Sequence, residues 1–360
     1  NGGMNGVAWS AGSAPGVTDA TETVGLGPGL SAPANVIATL SSFNGADSAW
    51  ARGSGSTDAA FDASVEEDTS LDTETTHIRE DLDYFAFDSP GTVSAMPIEP
   101  MAEAGTVSLD HAATTVSLER SYANPVVVAH VATENGPQAV NVRVSGVAGN
   151  DLTLQLQEPN HLDGAHAKET VNYMVLESGT WQLADGTVFE AGTLESDQLA
   201  SQGFEDVGFS AGFDSTPTVL SQVQSFNGGD FVTTRQRDKT VDGFELTMQE
   251  EEALNDGGHT TETLGWVAME PGNGGMNGVA WSAGSAPGVT DAPANVGLGP
   301  GLSAPANVIA TLSSFNGADS AWARGNGSTD AAFDASVEED TSLDAETTHI
   351  REDVDYFAFD

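Results

Sequence analysis

The chain has 360 residues, no cysteine, and 54 acidic against 10 basic side chains, for a formal charge of −44. This balance excludes a disulfide framework and thiolate chemistry, and it argues against nucleic acid, whose phosphates a surface of this sign repels. No run approaches eighteen apolar residues, so no membrane span is expected in this segment. With only Lys168 and Lys239 as lysines, the surface suits hydration in concentrated salt or the collection of divalent cations.

In chain order, four units of about ninety residues succeed one another. Unit A (1–90) reads as short strands in NVIATLSSFNG from Asn35 and AWARGSGSTDAAFDASVEE from Ala49, and closes on HIREDLDYFAFD from His77. Unit B (91–179) repeats these steps in PVVVAHVATENG from Pro125 and NVRVSGVAGNDLTLQLQE from Asn141, closing on HAKETVNYMVLE from His166. Unit C (180–272) is the clearest. Its apolar runs are separated by turn dipeptides at Asp185-Gly186, Asn227-Gly228 and Asp242-Gly243, and it closes on HTTETLGWVAME from His259. The last unit (273–360) is a second copy of A, closing on HIREDVDYFAFD from His349. About seven short strands per unit, with turn signals between them and no long helical period, predict an all-β tandem array of antiparallel β-sandwich domains of six or seven strands each.

Residues 1–88 recur at 273–360 with an offset of 272 and differ at six positions: Thr21/Pro293, Glu22/Ala294, Thr23/Asn295, Ser54/Asn326, Thr73/Ala345 and Leu82/Val354. The long repeat therefore holds three units, and the sequence reads as a window on a longer tandem protein.

Four polar positions keep their type across the units. Arg52, Arg143, Arg235 and Arg324 each precede an apolar residue by nine positions (Phe61, Leu152, Phe244, Phe333), and Glu67, Glu158, Glu250 and Glu339 follow it by six. The closing segment adds His77, His166, His259 and His349 and, three residues on, Glu80, Glu169, Glu262 and Glu352. Glu, His and Glu brought together can ligate a metal or move protons. On an extended segment, however, His-x-x-Glu sends its side chains to opposite faces. The favoured reading is a structural clasp, an Arg–Glu pair bridging neighbouring strands with the His capping the turn. Acidic loops before each His, at Glu66-Glu67-Asp68, Glu250-Glu251-Glu252 and Asn160/Asp163, could hold Ca²⁺ through Glu67, Asp68, Glu251 or Glu252. No other cofactor is expected.

Residues 207–269 resemble the H-type lectin domain: Val207 and Phe209, Pro217 and Val219, Arg235, Thr240 with Gly243-Phe244, and Trp266-Val267-Ala268 stand where that family has its entry strand, Pro-Val segment, Arg strand, Gly-Phe turn and closing Trp strand. The resemblance implies a six-stranded antiparallel sandwich that associates in threes, so that three units per repeat would look like a trimer on one chain. The family's sugar site carries over poorly, since acids such as Glu251 and Asp68, or Phe231 and Ser48, occupy the corresponding positions.

These readings lead to a non-enzymatic structural protein, forming a fibre or filament outside the cell or at the surface of a salt-adapted microbe, with other copies of itself as partners. The alternative is a glycan-binding adhesin acting by avidity through its repeats, with Trp266 and Arg235 as the residues to test.

Overall fold

The computed structural model describes all residues except 1, 5, 6, 31, 32, 46, 71, 72, 89–101, 184, 255–257, 277 and 304. It holds two compact units, Asn1–Glu99 and Pro100–Asp360. The expected boundary at residues 90 and 91 lies outside the described residues. The chain is built of antiparallel β-sandwich beads, here called A, B, C and A′.

Bead C shows the plan. Gly179–Gln182, Val188–Ser196, Glu262–Met269 and Thr218–Val223 pair in that order as one four-stranded sheet. Glu205–Gly208, Gly243–Glu250 and Val232–Arg237 form the facing three-stranded sheet. The period of two along Gly243–Glu250 turns Phe244, Leu246 and Met248 inward, where they meet Leu264, Trp266 and Ala268 of the closing strand. Trp266 lies across from Gly192 in the register, and a Cβ there would sit 2.5 Å from its ring. Glycine is what lets the indole lie flat over the adjacent strand. Beads A and A′ share this topology; bead B has six strands among the described residues, in two three-stranded sheets.

The closing strands of B, C and A′ are apolar on both parities because both faces are covered. In Glu262–Met269 the alternate residues Val267 and Met269 leave bead C and enter a second core. That core also takes Val126, Val128, Met174 and Leu176 from bead B, and Trp281, Ile309, Phe357 and Phe359 from bead A′. Three sheets thus meet about one centre. Side-chain hydrogen bonds fix their seating. Gln224 accepts from the Val127 N–H (2.9 Å) and donates to the Pro125 carbonyl (3.0 Å); Asn172 donates to the Val308 carbonyl (2.9 Å); Asp355 accepts from the Val219 N–H (2.7 Å).

The other compact unit consists of bead A, with its own core around Leu26, Phe61, Val65, Leu82 and Ala86. Its outward residues Ile37 (65%), Phe43 (84%) and Trp50 (45%) are exposed.

Candidate functional site

The repeated polar residues assemble into one motif in every bead. The first Glu is the last residue of the sandwich's inner strand, or in bead B the one just after it, the His lies in the loop that follows, and the second Glu is at the first position of the closing strand. The imidazole lies between the two carboxylates. In bead C, Nδ1 of His259 is 2.6 Å from Glu250 and Nε2 is 3.4 Å from Glu262. The same pairs are His77 with Glu67 and Glu80 (3.2 and 3.3 Å), His166 with Glu158 and Glu169 (2.8 and 3.2 Å), and His349 with Glu339 and Glu352 (2.6 and 3.3 Å).

This corrects the expectation that His and Glu point to opposite faces. The regular strand begins at the Glu, so the His belongs to a loop free to fold its ring back over the strand end.

The second Glu also closes the Asn-Gly turn. Glu262 accepts from the Ser225 hydroxyl and from the backbone N–H groups of Asn227 (3.0 Å) and Gly228 (2.9 Å); Glu80, Glu169 and Glu352 do the same to their own turns. Burial works to raise the Glu262 carboxyl, but His259 and these donors outweigh it and hold it at about 2. Glu352 is likewise brought to about 2 against burial, by His349, Arg235 and its turn. Glu80 reaches about 2 chiefly through the Ser42 hydroxyl. His259 and His349 move the other way: burial opposes their charge, yet the flanking carboxylates raise them. A charged imidazole between two carboxylates satisfies all three.

The arginines do not pair with the repeated Glu of their own bead, as the sequence spacing suggested. Those of B, C and A′ each reach another bead. Arg143 of B is 2.5 Å from Glu262 of C, and Arg235 of C is 2.7 Å from Glu352 of A′. Each guanidinium also stacks on the Phe of the turn it enters, Phe226 at 4.7 Å and Phe315 at 4.6 Å. Burial brings Arg235 down to about 10, with Glu352 opposing. The third junction closes differently: Arg324 of A′ donates to the Val140 (3.2 Å) and Thr133 (3.1 Å) carbonyls of B. Bead B carries Glu134 where C has Phe226, and Asn326 donates to it at 3.0 Å. Contacts running B to C, C to A′ and A′ to B make a closed head-to-tail ring. Arg52 of bead A instead pairs with Glu66 at 2.9 Å and stays exposed.

Of the acids expected for Ca²⁺, Glu67 holds His77 and Asp68 accepts from Ser70. Glu252 is pushed to about 7 by burial and neighbouring acids. Glu251 contributes to a different cluster, missed in the sequence because its members come from three beads. Glu251 of C, Asp340 of A′ and His161 of B converge, with His161 Nδ1 4.0 and 3.9 Å from the two carboxylates. Backbone N–H groups of the preceding bead fix each acid, Asn160 on Glu251 and Glu252 on Asp340. These three donors could hold a divalent cation between them. The alignable signal was an acid after the inner-strand Glu in C and A′, with Pro159 in its place in B. Trp266 and Arg235, considered for glycan contact, are 6% and 0% exposed.

With this geometry in place, the chain can be set beside known proteins. It is similar to halomucin of Haloquadratum walsbyi, with 29% identity over 257 residues, 68% of this chain and 3% of that protein. The chain spans a small fraction of the length of this far larger relative. No family model matches the sequence, and no solved structure matches it.

Proposed function

We propose that this chain is part of a structural repeat protein, located outside the cell or at its surface, in which three-bead rings follow one another as a fibre or filament. The observation that carries the reading is the ring itself, whose Arg143–Glu262 and Arg235–Glu352 junctions are buried. The polar groups repeated from bead to bead hold the beads together: each clasp His has both ring nitrogens engaged and its side chain covered. A group so enclosed offers a substrate nothing to react with, which supports a non-enzymatic role. Similarity to a far longer protein supports many rings in succession, and the charge of −44 supports a surface adapted to concentrated salt.

The test is electron microscopy of the full-length protein in molar salt. Beaded strands with a regular ring spacing are expected, and isolated particles without a linear repeat would sink the proposal. For the glycan-binding alternative no observation speaks, since its two nominated residues are buried.

A further inference from the structure

Beads A and A′ have nearly the same sequence and very different surroundings. Ile309 of A′ is 0% exposed and its counterpart Ile37 is 65%; Trp322 is 3% and Trp50 45%; Phe357 is 5% and Phe85 38%. The arginine side chain follows suit, 2% exposed for Arg324 and 66% for Arg52. In A′ all of these residues are covered by beads B and C. Ile309 and Phe357 enter the three-bead core, Phe315 lies under Arg235, and Trp322 donates to the Val140 carbonyl at 3.1 Å and packs at a tilt against Phe231, ring centres 4.8 Å apart.

We infer that the exposed apolar face of bead A, centred on Ile37, Phe43, Trp50 and Phe85, is a docking surface for the B–C bead pair of a second copy of this repeat. The identity of the occupant follows from the sequence relation. A surface that differs from A′ at six positions presents the shape and polarity that B and C already fit. Of those six, Asn326 makes a hydrogen bond to another bead, to Glu134, and Ser54 replaces it in bead A. One polar contact at the rim is lost and the apolar centre is unchanged. The acidic turn of bead A is complementary to the incoming arginine: Glu80 stands where Glu352 receives Arg235, already held ionised by its turn. Bare, these side chains would make an aggregation-prone patch; covered, they complete a ring. The inference deepens the proposed array, and the two fail separately, because the experiment below reads docking alone.

The absence of cysteine makes thiol cross-linking specific. In the ring, Thr106 of B and Asn307 of A′ have side-chain oxygens 2.9 Å apart, and Asn35 is the counterpart of Asn307. An acceptor chain carries Thr106→Cys with Ile37→Asp and Ile309→Asp, which spoil both of its own A-type faces and vacate its B–C pair. The donor is the full chain with Asn35→Cys. A short bis-maleimide, whose two double bonds each add one cysteine thiol, is expected to give a one-to-one cross-linked pair when added to the mixture. Adding Ile37→Asp to the donor, or restoring Ile309 in the acceptor, is expected to lower the yield about tenfold or more. If Ile309→Asp unfolds the acceptor by circular dichroism, Phe315→Ala serves as the milder vacating change. No cross-link with a folded acceptor, or a cross-link that persists with Ile37→Asp in the donor, overturns the inference.

Discussion

Arg235 and Glu352 are 117 residues apart in the chain and 2.7 Å apart in the fold, and neither side chain touches solvent. The pair joins two beads and is seated among groups that need both charges: Phe315 under the guanidinium, His349 and the turn of Asn316-Gly317 around the carboxylate. Removing one partner strands the other in the interface. Arg235→Ala is therefore expected to destabilise Pro100–Asp360 by about 3–5 kcal/mol, as broken buried pairs do, whereas Arg52→Ala at the matching exposed position costs less than about 1 kcal/mol. Urea denaturation of the two variants checks the contrast, and equal losses would refute it.

The Asn-Gly turn gives a second comparison. A Cβ on Gly228 would lie 2.7 Å from the His259 ring, while one on the adjacent Gly229 meets nothing within 4 Å. His259 cannot retreat without leaving Glu250 or Glu262. Gly228→Ala is expected to cost about 1–3 kcal/mol through overpacking, and Gly229→Ala to be neutral or stabilising by up to about 1 kcal/mol. Thermal melts of both variants decide the matter; a harmless Gly228→Ala would mean that the imidazole is not held as described.

Stability should depend on pH in two windows. Glu80, Glu262 and Glu352 are held at about 2, below their ordinary 4.5, so the stability they contribute is complete above about 4.5 and is lost as pH falls from there toward 2. His259 and His349 are raised above their ordinary 6.5; their contribution is complete below that value and is lost as pH climbs through the raised one. Glu252, raised to about 7 by burial, adds to the loss between 4.5 and 7. His130, lowered to about 4 by burial and Arg324, acts oppositely between 6.5 and 4. The urea midpoint is expected to be greatest in mildly acidic buffer, to fall below pH 4.5 and to decline above neutrality. A midpoint flat from pH 3 to pH 8 would contradict the clasp electrostatics.

Net charge sets a further condition. At −44, self-repulsion is damped only where the screening length is short, about 3 Å in molar salt against about 30 Å at 0.01 M. Dialysis from molar to millimolar sodium chloride at constant pH is expected to lower the melting temperature, and a melt that stays put would refute the expectation.

Much of this fold was legible in the residues. The closing segments gave the period, and the alternation of Leu264, Trp266 and Ala268 carries the core face; the second buried face, with Val267 and Met269, came from the structure. The partner of each arginine was not legible. In a tandem sequence the Glu of the same bead and the Glu of the next carry the same local pattern, and spacing cannot choose between them; burial of a whole bead face does. The His–Glu geometry was misread because the strand starts three residues later than the motif. The cluster of His161, Glu251 and Asp340 left only a partial signal, the acid after the inner-strand Glu in C and A′, because its third member comes from a different position of bead B.

The head-to-tail closure of the ring bears on how such a gene can change length. Insertion or deletion of one bead would leave a junction arginine facing the wrong turn and one apolar sheet in water. Recombination in steps of 272 residues leaves every junction made. The near-identity of 1–88 with 273–360 fits such exchange, in which the heritable unit of growth is the ring.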